Sequence, residues 1–461
     1  MNRLLILWAV WLLGGAAPTP GADGQRPNYV FILTDDQRFD ALGAAGNDQI
    51  YTPNLNRLAS RGVRFENHFV TTSICAVSRA SILSGQYFRR HQIGDFSTPF
   101  TPEQWSRTYP SILRQAGYRT GFIGKFGVGN ARHIASMAEA FDYWRGLPGQ
   151  AGEWFIDPKE PQGKHATARF GDQALEFLEG CSKTESFCLS ISFNAPHARD
   201  GKPREFQPDA RDESLHADTV IRSPSLANET EFARLPEFVK KSEARRRWER
   251  RFATPEMAQR TLKDYYRLVA GVDRELGRIL EQLEKQGLAE NTVVIFTSDN
   301  GFALGDRGLA GKWFMYEESI RVPLVIYDPR LPEAARGRVV SKLTLNIDFA
   351  PTMLERAGLQ APEQMQGRSL LPLLRGETTP DWRTAFFYEH HFGPHILPPV
   401  EGVRTERWAY LRWMPPNPEL EELYDLNADP LEQKNLAGNE AFAEQLEELR
   451  ADWKRARTEL E

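Results

Sequence analysis

The chain has 461 residues, of which 41% are apolar and 26% charged, and its formal net charge is −5. This composition is ordinary for a folded protein and excludes a low-complexity or repeat chain, while the length favours one large domain plus a smaller one. The slightly negative charge argues against general nucleic-acid binding, so we expect no nucleic-acid partner.

The N-terminus has the pattern of an export signal. Met1-Asn2-Arg3 precedes an apolar run over residues 4–13, and small residues follow as far as residue 24. A basic start, a short apolar segment and small residues are typical of a secretory signal peptide, and the run is too short to span a bilayer comfortably. We therefore predict a signal peptide over residues 1–23 and an exported protein, periplasmic or extracellular, without a stable membrane span. An uncleaved anchor is the alternative.

Residues 24–375 have the pattern of a large α/β domain, because apolar β-branched runs alternate with amphipathic stretches. In chain order the pattern predicts a strand over 28–34, a helix over 53–61, a strand over 187–193, a helix over 265–286 and a strand over 292–297. Strands separated by helices predict a large, mostly parallel sheet with helices on both faces. In such folds ligands bind beyond the carboxyl ends of the strands.

A polar, proline-containing stretch over residues 199–261 interrupts this pattern, and we interpret it as an insertion beside the ligand-binding edge. It carries a basic cluster made of Lys240, Lys241, Arg245, Arg246, Arg247, Arg250 and Arg251. Such a charge run indicates either a solvated helix face or a subsite for a polyanionic substrate, and the sequence leaves both interpretations open.

Residues 376–461 are expected to form a smaller C-terminal α+β lobe. A polar, turn-rich boundary at 375–380 precedes short apolar and aromatic runs at 385–389, 401–404 and 408–413, and an amphipathic helix is predicted over 441–457. This arrangement predicts a small antiparallel sheet with a packed helix.

Two pairs of oxygen-bearing side chains follow predicted strands. Asp35 and Asp36 come directly after the first strand, and Asp299 and Asn300 come after the strand at 292–297. Three carboxylates and an amide oxygen at one edge of the sheet would suit a hard divalent cation, with Ca2+ favoured over zinc. Each pair alone could equally serve as a helix cap or turn.

Cys75 lies at the start of a predicted short helix, and Arg79 follows one helical turn later. The free N–H groups of a helix start and the guanidinium fork together predict a cradle for sulfate or phosphate. A buried, inert cysteine is the alternative. Cys181 and Cys188 could form a disulfide in an oxidising compartment, leaving Cys75 unpaired, or both could be free.

The order Cys-x-x-Ser-Arg followed by Leu-Ser-Gly at residues 75–85 resembles the signature of the sulfatases, within the alkaline phosphatase superfamily. Together with the two acidic strand ends, and with the segment 422–430, which resembles the family's closing motif, the resemblance extends from residue 27 to about residue 437. It implies that a formylglycine-generating maturation enzyme oxidises Cys75 to formylglycine (3-oxoalanine), whose hydrate attacks sulfur. It also implies an exported sulfatase that acts on a sulfated carbohydrate.

The resemblance further assigns roles by position. The implied ligands of one Ca2+ ion are Asp35, Asp36, Asp299, Asn300 and the oxidised side chain of Cys75. Arg79 would hold the formylglycine hydrate, whereas Lys125 and Lys312 would contact the sulfate. His197 would contact the ester oxygen and protonate the leaving alcohol, which suits the pKa range of histidine.

The chain departs from the family pattern at two positions. Val77 replaces the usual proline of the maturation signal, and Gly127 replaces a histidine that assists release of sulfate in the family. His91, a predicted substrate contact, and His133 are candidate replacements on sequence alone, with an ordinary surface histidine as the alternative. Two rival functions stay open. Because tetrahedral anions bind similar sites, one is a phosphomonoester or phosphodiester hydrolase of the same superfamily. The other, favoured by the two departures, is a non-catalytic protein that binds sulfated glycans.

Overall fold

The computed structural model describes residues 25–149 and 163–460, so the predicted signal peptide at 1–23 lies outside the described residues. The strands are β1 (Asn28–Thr34), β2 (Val63–Phe65), β3 (His68–Phe69), β4 (Arg119–Lys125), β5 (Tyr143–Leu147), β6 (Phe187–Ser192), β7 (Thr292–Ser298), β8 (Ala303–Leu304), β9 (Ala310–Gly311), β10 (Leu324–Tyr327), β11 (Arg338–Val340), β12 (Thr344–Leu345), β13 (Ala385–His390), β14 (Val400–Thr405), β15 (Trp408–Trp413) and β16 (Leu420–Asp425).

The helices alternate with these strands through most of the chain. They are α1 (Pro53–Arg61), α2 (Cys75–Ser84), α3 (Phe88–His91), α4 (Pro102–Ser106), α5 (Tyr109–Gln115), α6 (Ala131–Ser136), α7 (Ala166–Glu179), α8 (Glu229–Arg234), α9 (Glu237–Lys240), α10 (Glu243–Arg251), α11 (Pro255–Lys285), α12 (Glu317–Ile320), α13 (Phe349–Arg356), α14 (Leu371–Arg375) and α15 (Ala443–Glu459). Within the described ranges, none of them combines the length and apolar character needed to cross a bilayer.

The large sheet has eight strands in the order β11-β2-β10-β7-β1-β6-β4-β5. Its central strands are parallel, and β10 alone runs opposite to its neighbours β7 and β2. The predicted mostly parallel α/β sheet is therefore confirmed. Strand β10 differs because the chain returns from the end of β7 through the loops that carry β8 and β9, without a crossover helix.

Alternate side chains of β1 enter two separate apolar layers. Val30 and Ile32 pack in the layer covered by α1, α7 and α11, whereas Phe31 and Leu33 pack in the layer that includes α2, α5 and α13. Helices thus cover both faces, as predicted, and this explains why β1 is buried along its whole length. The arrangement leaves the carboxyl ends of the strands to form a site.

The C-terminal sheet is antiparallel, in the order β13-β14-β15-β16, and confirms the predicted α+β lobe. Helix α15 packs on it, with Trp453 Nε1 donating a 2.9 Å hydrogen bond to Glu401 Oε2. The opposite face contacts the large domain, where Tyr388 Oη donates to Trp313 O at 2.6 Å. The lobe therefore supports the segment that follows Lys312, although the boundary at residues 375 and 376 stays a prediction.

No disulfide joins Cys181 and Cys188, because all three cysteines of the described residues are free. Cys188 lies in β6 and points into the layer that contains α2 and α5, whereas Cys181 packs at the edge of the layer on the opposite face of the sheet. The two thiols therefore face different layers, and the alternative of two free cysteines holds.

Four buried histidines outside the candidate site predict an acid-sensitive fold. Burial lowers the pKa of His68, His91 and His390 to about 3 and that of His165 to about 4. Between pH 7 and pH 5 the unfolded chain binds protons at these positions and the folded chain does not, so stability falls as the pH drops. Each histidine should account for about 2 kcal/mol of the free energy of unfolding over this interval.

Denaturant titrations at pH 7 and pH 5 measure this effect. The His390→Gln variant should show a smaller loss between the two pH values, by about 2 kcal/mol. An identical pH dependence in wild type and His390→Gln would contradict the prediction.

Candidate active site

The acidic strand ends meet because β1 and β7 are adjacent and parallel. Thr34 pairs with Ser298 at the ends of these strands, which brings the segments that follow them side by side. The Asp36 backbone N–H donates to Asp299 Oδ1 at 3.3 Å, and Asn300 Nδ2 donates to Asp36 Oδ1 at 2.6 Å. The structure thus gathers the four predicted oxygen donors at one edge, all 0–1% exposed.

Helix α2 brings Cys75 to the same edge. The helix begins at Cys75 after the extended residue Ile74 and ends at Ser84, where Gly85 caps it with a φ of 68° that favours glycine. Cys75 Sγ lies 3.4 Å from Asp35 Oδ1 and 3.2 Å from Lys312 Nζ. Its position therefore places a group attached to residue 75 directly beside a carboxylate and an ammonium.

Arg79 ties this helix to three strands of the large sheet. Its Nε donates to Asp299 Oδ2 at 2.8 Å, and its Nη1 donates to the Lys125 carbonyl at 2.6 Å and also to Ser192 Oγ. Ser192 was missed by sequence reasoning, since a serine at the end of a strand carries no motif. The three contacts fix the guanidinium at the floor of the site.

Lys125, Lys312 and His197 reach the carboxylates from separate elements. Lys125, the last residue of β4, lies with Nζ 2.5 Å from Asp35 Oδ2, and Lys312, just after β9, donates from Nζ to Asp36 Oδ1. His197 Nε2 lies 3.5 Å from Asp36 Oδ2, while Nδ1 donates to the Ala198 carbonyl at 2.6 Å. That backbone bond turns Nε2 towards the site.

Burial and neighbouring charges shift the pKa values of the site groups. Burial alone would raise the pKa of Asp35, but Lys125, His197 and the guanidinium of Arg79 outweigh it and hold this pKa well below its ordinary value. Burial and then the Asp35 charge raise the pKa of Asp299 to about 6. Burial, followed by the charge of Asp35, raises the pKa of the Cys75 thiol to about 12, which makes the unmodified thiol a poor nucleophile.

The donor set suits a divalent cation. Ligand atoms of Asp35, Asp36, Cys75 and His197 lie within 4.8 Å of one another. Asp36 Oδ2 and Asn300 Oδ1 are buried and accept no hydrogen bond within the described residues. Buried acceptors without donors are rare, and carboxylate and amide oxygens are the ligands of hard cations. Asp35, Asp36, Asp299 and Asn300 could therefore hold Ca2+.

The structure shows what surrounds Gly127 and whether His91 can replace the missing histidine. Gly127 has a φ of 77°, and a Cβ added there would lie 2.6 Å from Arg79 Cδ, so the stem of Arg79 covers the position where the family has a histidine. His91 is 1% exposed, with Nε2 3.1 Å from Ser81 Oγ and Nδ1 accepting from Ile93 N at 3.0 Å. Both ring nitrogens are engaged away from Cys75, so the structure does not place His91 as a substrate contact.

His133 and Val77 are the two remaining positions that the sequence analysis singled out. His133 lies in α6 with its ring against Gly129, and its Nε2 accepts no hydrogen bond from the part of the chain that is described. Val77 is 2% exposed and packs in the apolar cluster shared with the C-terminal lobe. Val77 is therefore a packing residue, and neither of these two side chains forms a hydrogen bond with Cys75 within the described residues.

Known proteins resemble this chain both in sequence and in structure. The sulfatase family profile matches residues 27–359, and the profile of the N-sulphoglucosamine sulphohydrolase C-terminal region matches residues 305–459. An N-acetylglucosamine-6-O-sulfatase of Bacteroides thetaiotaomicron is 31% identical over 97% of this chain and 89% of its own length. An ulvan-active sulfatase of Formosa agariphila is 28% identical over 94% of this chain and 82% of its own length. A solved protein bound to its substrate D-glucosamine-2-N,6-O-disulfate is 29% identical, with a TM-score of 0.80 and coverage of 95% of this chain and 98% of that one.

Proposed function

Because this chain belongs to the sulfatase family and is a sulfuric ester hydrolase, we propose that it removes sulfate from a sulfated carbohydrate, using formylglycine at position 75 and one Ca2+ ion. The carbohydrate substrate is supported by relatives whose names specify N-acetylglucosamine 6-sulfate and ulvan, and by the glucosamine disulfate bound to the solved relative. We also propose export to the periplasm or the extracellular space, supported by the pattern of residues 1–23, and conversion of Cys75 by a formylglycine-generating maturation enzyme despite Val77.

The observation that carries the proposal is the convergence of opposite charges around residue 75. Three carboxylates, those of Asp35, Asp36 and Asp299, are contacted by the cationic groups of Arg79, Lys125 and Lys312. These six charges balance, so a bound divalent cation would leave the site with two net positive charges. A site of that charge favours a sulfate ester anion over a neutral molecule.

Each side chain has a distinct task in the proposed reaction. Lys312 Nζ lies 3.2 Å from Cys75 Sγ, and Arg79 lies one helical turn after residue 75. At residue 75 the aldehyde hydrate would supply the hydroxyl nucleophile and make the reaction a two-step, covalent one. Lys125 and Lys312 offer positive charge to the sulfate oxygens, which lowers the cost of the charge that develops there. The cation, held by the four oxygen donors, would act as a Lewis acid on a sulfate oxygen.

His197 should act as the general acid that protonates the departing alcohol. Burial lowers the pKa of His197, but the carboxylate of Asp36 at 3.5 Å opposes that shift and can support the protonated ring. His197→Ala should therefore reduce kcat for alkyl sulfates by about 10²- to 10⁴-fold and reduce kcat for activated aryl sulfates much less. The measurement is kcat for a series of sulfate esters whose leaving alcohols differ in pKa.

The control is His197→Gln, which keeps a hydrogen-bond donor at this position. Equal slowing of all esters by His197→Ala would rule out the acid role of His197.

Parallel assays separate the proposed function from its two rivals. The purified protein should hydrolyse sulfate esters with a kcat/KM at least about tenfold above that for matched phosphate mono- and diesters. A higher value for phosphate esters would favour the phosphohydrolase rival. Binding of sulfated glycan without any turnover, by protein that carries the aldehyde at residue 75, would favour the non-catalytic rival.

A further inference from the structure

A second polar cavity, of about 300 Å³, lies in the insertion between β6 and α11. Its wall carries two carboxylates and five cationic side chains, those of Lys202, Arg204, Arg250, Arg251 and Arg260. The cationic excess in a concave wall makes this cavity a candidate site for an anionic group. Two of the five, Arg250 and Arg251, belong to the basic cluster of α10.

The basic cluster is not a uniformly solvated helix face, because Arg251 at its end is buried. Arg251 is 2% exposed, its guanidinium carbon lies 5.5 Å from the ring centre of Phe206, and its Nε donates to Glu205 Oε2 at 2.5 Å. Its Nη1 is buried and donates no hydrogen bond to any residue that the structure describes. A buried guanidinium N–H without an acceptor is costly, which indicates that an acceptor from outside the chain can be bound there.

Two further cations of the cavity wall are exposed, and no carboxylate of the described residues neutralises their charge. Lys202 and Arg260 are exposed wall residues, and neither forms an ion pair with the residues in the described ranges. Arg204, by contrast, is held by Asp264 and Glu213 and contributes little free charge. The cavity therefore combines one buried guanidinium N–H that lacks an acceptor with two exposed cations that form no ion pair with the described residues.

Asp200 lies three residues after His197 and borders the cavity, whose wall begins at the next residue. Its carboxylate accepts from Arg251 Nη2 at 2.5 Å and lies 3.0 Å from Arg247 Nη2. The cavity wall begins at Gly201, four residues after His197, and four residues span at most about 14 Å of chain. An extended substrate whose ester oxygen lies at His197 can thus present a neighbouring group to the cavity.

We propose that this cavity is a second anion subsite, which binds a sulfate or carboxylate group on a sugar next to the one whose sulfate ester is cleaved. The inference rests on the proposed function and extends it from a sulfated carbohydrate to an oligosaccharide with more than one anionic group. The guanidinium of Arg251 supplies the oriented donor, and Lys202 and Arg260 supply long-range attraction that salt screens. No covalent step occurs at this subsite.

Inhibition of aryl sulfate hydrolysis tests the second anion subsite without requiring that the probe be cleaved. The substrate is 4-nitrophenyl sulfate, the inhibitor is a size-fractionated heparin tetrasaccharide, and the test variant is Lys202→Ala/Arg260→Ala. We expect the inhibition constant to rise about tenfold in this variant, with kcat and KM for the small ester unchanged, because two charge contacts to the tetrasaccharide are lost. The variant Lys202→Arg/Arg260→Lys, which keeps both charges, should restore inhibition.

The matched control is Lys454→Ala/Arg455→Ala, which removes two exposed cations from α15 and should leave the inhibition constant unchanged. Equal inhibition constants in wild type and Lys202→Ala/Arg260→Ala, or an equal loss in the control, would overturn the second anion subsite. Absence of aryl sulfate hydrolysis in the wild type would instead count against the proposed function. Calorimetric titration with the same tetrasaccharide would then still decide the subsite, through the same comparison of variants.

Discussion

Replacing Cys75 with alanine is expected to abolish turnover while the fold remains intact. The side chain at position 75 is the proposed precursor of the nucleophile and lies 3.4 Å from Asp35 and 3.2 Å from Lys312, so no neighbouring hydroxyl occupies its place. Loss of a covalent nucleophile reduces kcat by about 10⁴-fold or more in enzymes that depend on one. The measurement is kcat for an aryl sulfate, together with circular dichroism and the melting temperature.

Cys181→Ala is the matched control, because Cys181 is half-buried at the edge of the layer that contains α7 and α11, on the side where β6 begins and not at the carboxyl ends of the strands. It should retain wild-type kcat. Residual turnover of Cys75→Ala above about 1% of wild type would show that the reaction does not need residue 75. If the Cys75→Ala protein lacks a cooperative melting transition, the second variant is Cys75→Val, which fills the buried position without placing a hydroxyl there.

Removal of the cation is expected to have the second-largest effect, on both activity and stability. The buried oxygens Asp36 Oδ2 and Asn300 Oδ1 accept no hydrogen bond within the described part of the chain, and a bound cation would satisfy them. Chelation should therefore remove activity, and added Ca2+ should restore it. Ca2+ at about 100 times its dissociation constant should increase the free energy of unfolding by about 2.7 kcal/mol, seen as a rise in melting temperature.

The thermal shift supplies a readout that does not depend on catalysis. Asn300→Ala should lose most of the Ca2+-dependent rise in melting temperature, since it removes one of the two orphaned oxygens. Asp48→Asn, at a carboxylate that is 69% exposed and paired with Arg222, is the control and should keep the full rise. An unchanged rise in Asn300→Ala would refute the assigned cation site.

The sequence predicted the site best where a buried strand is followed directly by polar side chains. Asp35 follows a run of seven buried residues, and Asp299 follows another, so both pairs of oxygen donors could be assigned to strand ends. That β1 and β7 are neighbours could not be derived from either strand alone, because strand order depends on which helices cover the sheet. The resemblance at Cys75 and Arg79 supplied that link before the structure did.

Sequence reasoning failed where the partner of a residue is distant in the chain. Arg251 belongs to an arginine-rich helix whose apolar residues are Ala244 and Trp248, and it is buried because Asp200 and Glu205, about 50 residues earlier, accept its hydrogen bonds. His91 looked available, but its helix has only four residues and the ring turns back to Ser81. The direction of β10 likewise depends on the loop that carries the site, not on the composition of the strand.

Mass spectrometry of the tryptic peptide spanning residues 65–79, prepared from active enzyme, tests the central claim most directly. We expect an aldehyde or its hydrate at residue 75 in a fraction of molecules that rises in proportion to the specific activity of each preparation. A fully active preparation that carries only unmodified cysteine at this position would contradict it.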